Sequence, residues 1–138
     1  MLFCPVFAFA EGFYIGYQIG VISRGGFIAG YQIDPKNSVE LHLGGGPHFL
    51  TYGASLKRKF GSNYLLVGYT RVGQFSKTET FSNHGLNIGI GHFFRSEENE
   101  MLSYPIEIGG GPGYDPARSE LIPNMFVGYG VIYGTNSN

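Results

Sequence analysis

At 138 residues the chain is sized for one domain, holding a single core or closing a single barrel. Only 14 % of it is charged, against roughly 25 % in ordinary soluble domains, while glycine fills 23 positions, Phe 12, Tyr 10 and Trp none. A formal net charge of −1 gives no electrostatic argument for nucleic-acid binding, which wants a basic face, and the lack of any apolar run of roughly 18 residues excludes a transmembrane helix. Strands are a separate matter, because a β-strand crosses a bilayer with only alternate residues apolar.

Residues 1–10, MLFCPVFAFA, have the form of the end of a secretory signal peptide. The stretch from Leu2 to Phe9 is apolar, and Ala8 and Ala10 supply the small residues that a signal peptidase reads before its cut. No Lys or Arg precedes that stretch, which a start placed too late would explain. Residues 11–138 are then the barrel domain, beginning at Glu11. Cys4, the only cysteine, leaves with the leader, so the mature chain has neither a disulfide framework nor a thiolate metal site.

Beyond Glu11, helical periodicity is scarce and period-two alternation is nearly everywhere. The first strand sets Phe13, Ile15, Tyr17 and Ile19 against Tyr14, Gly16, Gln18 and Gly20. The second sets Phe27, Ala29, Tyr31 and Ile33 against Ile28, Gly30, Gln32 and Asp34. In the third, Val39, Leu41 and Leu43 oppose Ser38, Glu40, His42 and Gly44; in the fourth, Tyr52, Ala54 and Leu56 oppose Gly53, Ser55 and Lys57. The fifth carries Leu65, Val67 and Tyr69 opposite Leu66, Gly68 and Thr70. The sixth carries Leu86, Ile88 and Ile90 opposite Asn87, Gly89 and Gly91. A short seventh has Ile106 and Ile108 flanking Glu107. The eighth sets Met125, Val127, Tyr129, Val131 and Tyr133 against Asn124, Phe126, Gly128 and Gly130. Turn sequences such as Asp34-Pro35-Lys36-Asn37 and Gly61-Ser62-Asn63 separate them, with longer connections expected near 74–83, 95–103 and 111–122.

About eight strands in this pattern predict an all-β fold, a closed antiparallel up-and-down barrel of the smallest common size. Two echoes fit repeated hairpins. GFYIGYQI from Gly12 recurs as GFIAGYQI from Gly26, and Leu41-His42-Leu43-Gly44-Gly45-Gly46-Pro47 is matched by Ile106-Glu107-Ile108-Gly109-Gly110-Gly111-Pro112. The second echo falls on strands three and seven, where a four-plus-four duplication would put it. The triple glycines themselves are read as turns or bulges, since neither a helix nor a Walker lysine follows them.

The second face decides which way the barrel faces. A soluble barrel shows water Lys, Glu and Thr, but here that face is mostly Gly, Ser, Gln and Asn. Small residues suit a cramped lumen, whereas glycine on a solvated strand only weakens it. The lumen is therefore assigned Gln18, Gln32, Glu40, His42, Lys57, Arg71 and Glu107, with either glutamate pairing with Lys57 or Arg71. Lipid is assigned Phe13, Ile15, Tyr17, Ile19, Val39, Leu41, Leu43, Leu86, Ile88, Ile90, Val127, Tyr129 and Val131. Tyrosines near strand ends would anchor at the headgroups in place of Trp.

With Gly16-Tyr17, Gly30-Tyr31, Gly68-Tyr69 and Gly128-Tyr129 recurring from Gly12 to Gly134, the chain resembles the small eight-stranded bacterial outer-membrane proteins of OmpA/OmpX type. One family feature is displaced: the terminal aromatic, Tyr133, is followed by Gly-Thr-Asn-Ser-Asn. The resemblance implies export to the outer membrane, contact with its lipid and its assembly machinery, a monomer, no cofactor, and an envelope-structural or surface-interaction role without catalysis.

The chemical alternatives rest on few residues. Ser38, Glu40 and His42 share one strand face and would supply nucleophile, carboxylate and base to a lipid A deacylase- or acyltransferase-like enzyme. Neighbours two apart on a strand stand roughly 7 Å from each other, while a base must come within about 3 Å of its nucleophile, so lumen hydrogen bonding is the expected role. His48, His84 and His92 lack the spacing of a zinc site, and no metal is expected. The acidic run from Arg95 to Glu100 reads as a solvated connection. A third possibility is a soluble secreted barrel holding a small apolar ligand, with the Phe13, Ile15 and Tyr17 face inside.

Overall fold

The computed structural model describes residues 12–21, 25–46, 49–75 and 80–134; the leader assigned to residues 1–10 lies outside them. The strands are β1 (Phe13–Val21), β2 (Gly26–Gln32), β3 (Asn37–Gly46), β4 (Phe49–Phe60), β5 (Asn63–Phe75), β6 (Thr80–Arg95), β7 (Leu102–Asp115) and β8 (Glu120–Gly134). Each pairs antiparallel with the next, and β8 closes on β1, giving an up-and-down barrel.

The registers fix its geometry. From Gly12, whose carbonyl accepts from Gln32 at 2.7 Å, paired residues run through Ser38, Lys57, Leu66, Gly89 and Gly109 to Phe126. Phe126 adjoins Val127, the partner of Val21, so one circuit climbs from position 12 to the level of position 22 on β1. That stagger of about ten residues over eight strands tilts the strands about 40° and leaves a bore that side chains can fill.

The lower rim, where Gly12 and Gly134 lie, is tied into a ring. Lys59 donates to the Lys36 carbonyl at 2.7 Å, Phe93 to Ser62 at 2.8 Å and Gly134 to Met101 at 3.0 Å. In its first turn, Asp34 accepts from the backbone of Lys36 and Asn37 and from the Asn37 side chain at 2.7–2.8 Å, which holds its carboxyl below the usual range. Gly61, at φ 64°, takes the left-handed position of the two-residue turn joining β4 to β5. With the lower ends level, unequal strand lengths appear at the top. β6 has 16 residues and β8 15, against 9 for β1 and 7 for β2. At about 2.5 Å of axial rise per residue, the β5–β8 wall stands about 15 Å above the β1–β2 rim.

Two expectations need correction. The seventh strand is not short but runs 14 residues, and the 111–122 connection shrinks to a turn at 116–119 that Asp115 caps by accepting from the Ala117 backbone at 2.9 Å. Nor are Gly109, Gly110 and Gly111 a turn: they lie within β7, all three paired with β8 and the first two also with β6. Proline and triple glycine, ordinarily strand breakers, mask this strand. Pro105 and Pro112 stand in β7, and Pro112 faces Pro123 across to β8.

The barrel is inside-out relative to a water-soluble one. Its outer wall is apolar on every strand, with Ile88 60 %, Ile90 62 % and Leu41 60 % exposed. Buried inside are Gln18, Gln32, Ser38, Glu40, His42, Thr51, Ser55, Lys57, Thr70, Asn87, Ser103, Glu107, Asp115 and Asn124. Two small apolar clusters share the lower lumen with them: Tyr14, Ile28 and Ile132, and Tyr64, Leu66 and Phe126, with Phe93 packed against both.

Candidate functional site

The lumen is organised by two matching rows. Tyr14 on β1 faces Gly30 on β2, which faces Glu40 on β3. Tyr64 on β5 faces Gly91 on β6, which faces Glu107 on β7. A Tyr–Gly–Glu row thus occurs once in each half of the barrel. It sets Glu40 against Glu107, two residues from the alignment suggested by the triple-glycine echo, which sets His42 there. The glycines follow from the rings: a side chain at Gly30 would collide with the Tyr14 ring, and one at Gly91 with the Tyr64 ring. Gly89 and Gly109 make the same space for Phe126. At Gly30 and Gly91 the inner glycine is the socket for a large neighbour rather than a turn former.

A single lysine joins the two rows. Lys57 Nζ lies 2.8 Å from Glu40 Oε2 and 3.5 Å from Glu107 Oε1, and all three residues are 1 % exposed. Tyr14 donates to Glu40 Oε1 at 2.9 Å, and the ammonium stands 4.6 Å from the centre of the Tyr64 ring. Burying three charges is costly unless they are paired and given further donors; here Lys57 pairs with both glutamates and Tyr14 is a further donor to Glu40. Above them Asn87 donates to Thr70 Oγ1 at 2.9 Å, Thr70 lies 3.3 Å from His42 Nε2, and Asn83 donates to Asn124 at 2.9 Å. The Tyr14–Lys57–Tyr64 layer fills the bore, its residues leaving almost no accessible surface.

Of the residues assigned to the lumen from sequence, Gln18, Gln32, Glu40, His42, Lys57 and Glu107 lie buried inside. Arg71 does not. It shares the parity of Leu65, Val67 and Tyr69 on β5 and is exposed on the outer wall, so both glutamates take Lys57 as their partner. Ser38, Glu40 and His42 all point inward, but the structure engages them separately, Glu40 with Lys57 and Tyr14 and His42 with Thr70. His84 and His92 stand on the outer side of β6, and His48 is outside the described residues. Among the described residues no group of three His, Cys, Asp or Glu side chains could hold a metal.

Every residue assigned to the lipid face shares the outward parity of its strand; Ile15, Tyr17, Ile19, Leu41, Leu43, Leu86, Ile88, Ile90, Val127, Tyr129 and Val131 are exposed, Phe13 and Val39 partly so. This reverses the facing that a soluble ligand-binding barrel requires. An apolar hollow of about 620 Å³ does exist, but it opens on the outer wall around Ala29, between Ile15, Tyr17, Phe27, Leu41 and Leu43. The lumen list drawn from sequence leaves out Tyr14, Thr70, Asn87 and Phe126, although alternation sets them on the second face, and Tyr64 is not placed at all. Their strand parity was the available signal, outweighed by the apolar character of three of them. Comparison with known proteins finds no matching family model, no matching curated protein and no matching solved structure.

Proposed function

We propose that this chain is a non-enzymatic barrel spanning a bacterial outer membrane, with an envelope-structural or surface-interaction role. The observation that carries the proposal is the inverted polarity: an apolar wall around a lumen that buries Glu40, Lys57 and Glu107. In water that arrangement leaves a continuous apolar surface exposed all round, far beyond the few hundred Å² usual for a soluble monomer. In lipid it is the favourable one, and closure satisfies the backbone. On β5 the outward side is apolar from Leu65 to Tyr69 between Asn63 and Arg71, and on β6 from Ile90 to Leu86 between His92 and His84. The polar residues that bound each span, Asn63 and Arg71 or His92 and His84, stand about 20 Å apart along the barrel axis, against the ~25 Å apolar band of such barrels. The filled lower lumen favours a structural role over a pore, and the taller β5–β8 wall offers a surface above the band for contact with other molecules.

Fractionation with gel mobility before and after boiling tests this. Recovery in outer membranes with a boiling-dependent shift is expected; a soluble protein of unchanged mobility would overturn the proposal. A substitution separates the environments by sign. Ile88→Arg places a charge at mid-band on the outer wall, where lipid makes it cost about 2–4 kcal/mol. Its unfolding midpoint in vesicles should fall accordingly, whereas on a water-facing wall the arginine would be harmless.

A further inference from the structure

Within the outer wall one cluster is chemically unlike the rest. Tyr52 on β4 pairs with Arg71 on β5, Arg71 with His84 on β6, and His84 with Tyr114 on β7, a continuous cross-strand row. Tyr69, two residues before Arg71 on the same face, has its hydroxyl 3.0 Å from His84 Nδ1. The His84 ring meets Tyr114 edge-on at 5.8 Å and Tyr69 at 6.1 Å. Directly paired residues hold their Cβ atoms about 5 Å apart, so an arginine, an imidazole and three phenols gather within one small area. Arg71 and the three tyrosines are exposed there.

Two further observations say what this area faces. It borders the apolar band, since the next outward residues below are Val67 on β5, Leu86 on β6 and Ala54 on β4. And among the described residues no Asp or Glu stands on the outer face of any strand, while Arg58 and Arg71 do. A wall whose fixed charges are all cationic, at the edge of an apolar band, complements an anionic headgroup. Guanidinium forks and phenol hydroxyls are the donors that phosphate oxygens accept, and tyrosine favours the headgroup level.

We propose that the Tyr52, Tyr69, Arg71, His84 and Tyr114 cluster binds the phosphate of an anionic lipid headgroup, with the acyl chains lying down the apolar wall. The inference rests on the membrane-spanning proposal above. To test it, the full chain is refolded into phosphatidylcholine nanodiscs holding a minor share of phosphatidylglycerol, and native mass spectrometry counts the lipids that stay bound. Wild type should retain phosphatidylglycerol over phosphatidylcholine by about tenfold, Arg71→Gln should lose most of that preference, and His84→Gln should lose a few-fold. Arg58→Gln, which removes the same charge near the lower rim, should keep it. No preference in the wild type, or equal losses from Arg58→Gln and Arg71→Gln, would overturn the inference while the barrel still inserts and shows its boiling-dependent shift. Inorganic phosphate added to detergent-held protein should leave the nuclear magnetic resonance signals of His84 and Arg71 in place; saturable shifts there would assign the site to soluble phosphate instead. A chain that neither inserts nor shifts on boiling sinks the membrane proposal, and this inference with it.

Discussion

Replacing Lys57 with methionine should lower the stability of the barrel by about 4 kcal/mol, read as a fall in the urea midpoint in lipid vesicles. Glu40 and Glu107 reach the same ammonium from opposite halves of the barrel, at 2.8 and 3.5 Å, in a layer without solvent access. Removing the cation leaves two carboxylates in a low-dielectric space with no opposite charge between them. The penalty comes mostly from the stranded partners rather than from the lost attraction. Removing all three charges together, as Glu40→Gln, Lys57→Met and Glu107→Gln, should therefore recover most of the loss, since well-packed neutral replacements of buried ionic groups are commonly neutral or stabilising. If Lys57→Met alone leaves the midpoint unchanged, the triad does not hold the two halves together.

The triad also shows how far a sequence can be read without neighbours. Alternation marks strand and face at once, because the side-chain period of a strand is two. That is why Glu40, Lys57 and Glu107 could be assigned to the inner face before any partner was known. Pairing across the barrel is a different kind of information, carried by register and stagger. Nothing local in Lys57 says that it will meet Glu107, 50 positions away. Arg71 was lost for a nearby reason: opposite-charge logic drew it toward the glutamates although its own parity pointed outward with Leu65, Val67 and Tyr69. The upper halves of β7 and β8 failed differently. Their cues were composition cues, Gly109-Gly110-Gly111-Pro112 and Pro123, which ordinarily end a strand. Here Gly109 lies beside the Phe126 ring while Gly110 and Gly111 lie against the backbones of β8 and β6, so what looks like a break is close approach within the sheet. The outer cluster around His84 went unseen because its members come from four strands and only register assembles them.

Gly91→Ala offers the sharpest check on the socket relation, and it should cost about 2 kcal/mol although alanine suits a strand better than glycine. The new methyl would fall within the Tyr64 ring. That ring has little room to give way: it lies 4.4 Å from the Phe93 ring and 4.6 Å from the Lys57 ammonium, and it is 2 % exposed. Moving it would disturb the ion triad, so the overlap is resolved by off-rotamer side chains or by a shift of β6 against β5. The same substitution in a Tyr64→Leu background removes the obstacle. There Gly91→Ala should be neutral or mildly stabilising, because the methyl fills space and reduces the freedom of the unfolded chain. The double-mutant cycle over Gly91 and Tyr64 should thus show a coupling of about 2 kcal/mol, near the upper part of what contacting residues display. An equal cost in both backgrounds would mean that the strand backbone, not the ring, demands glycine at this position, and the matching Tyr14–Gly30 pair would need the same explanation.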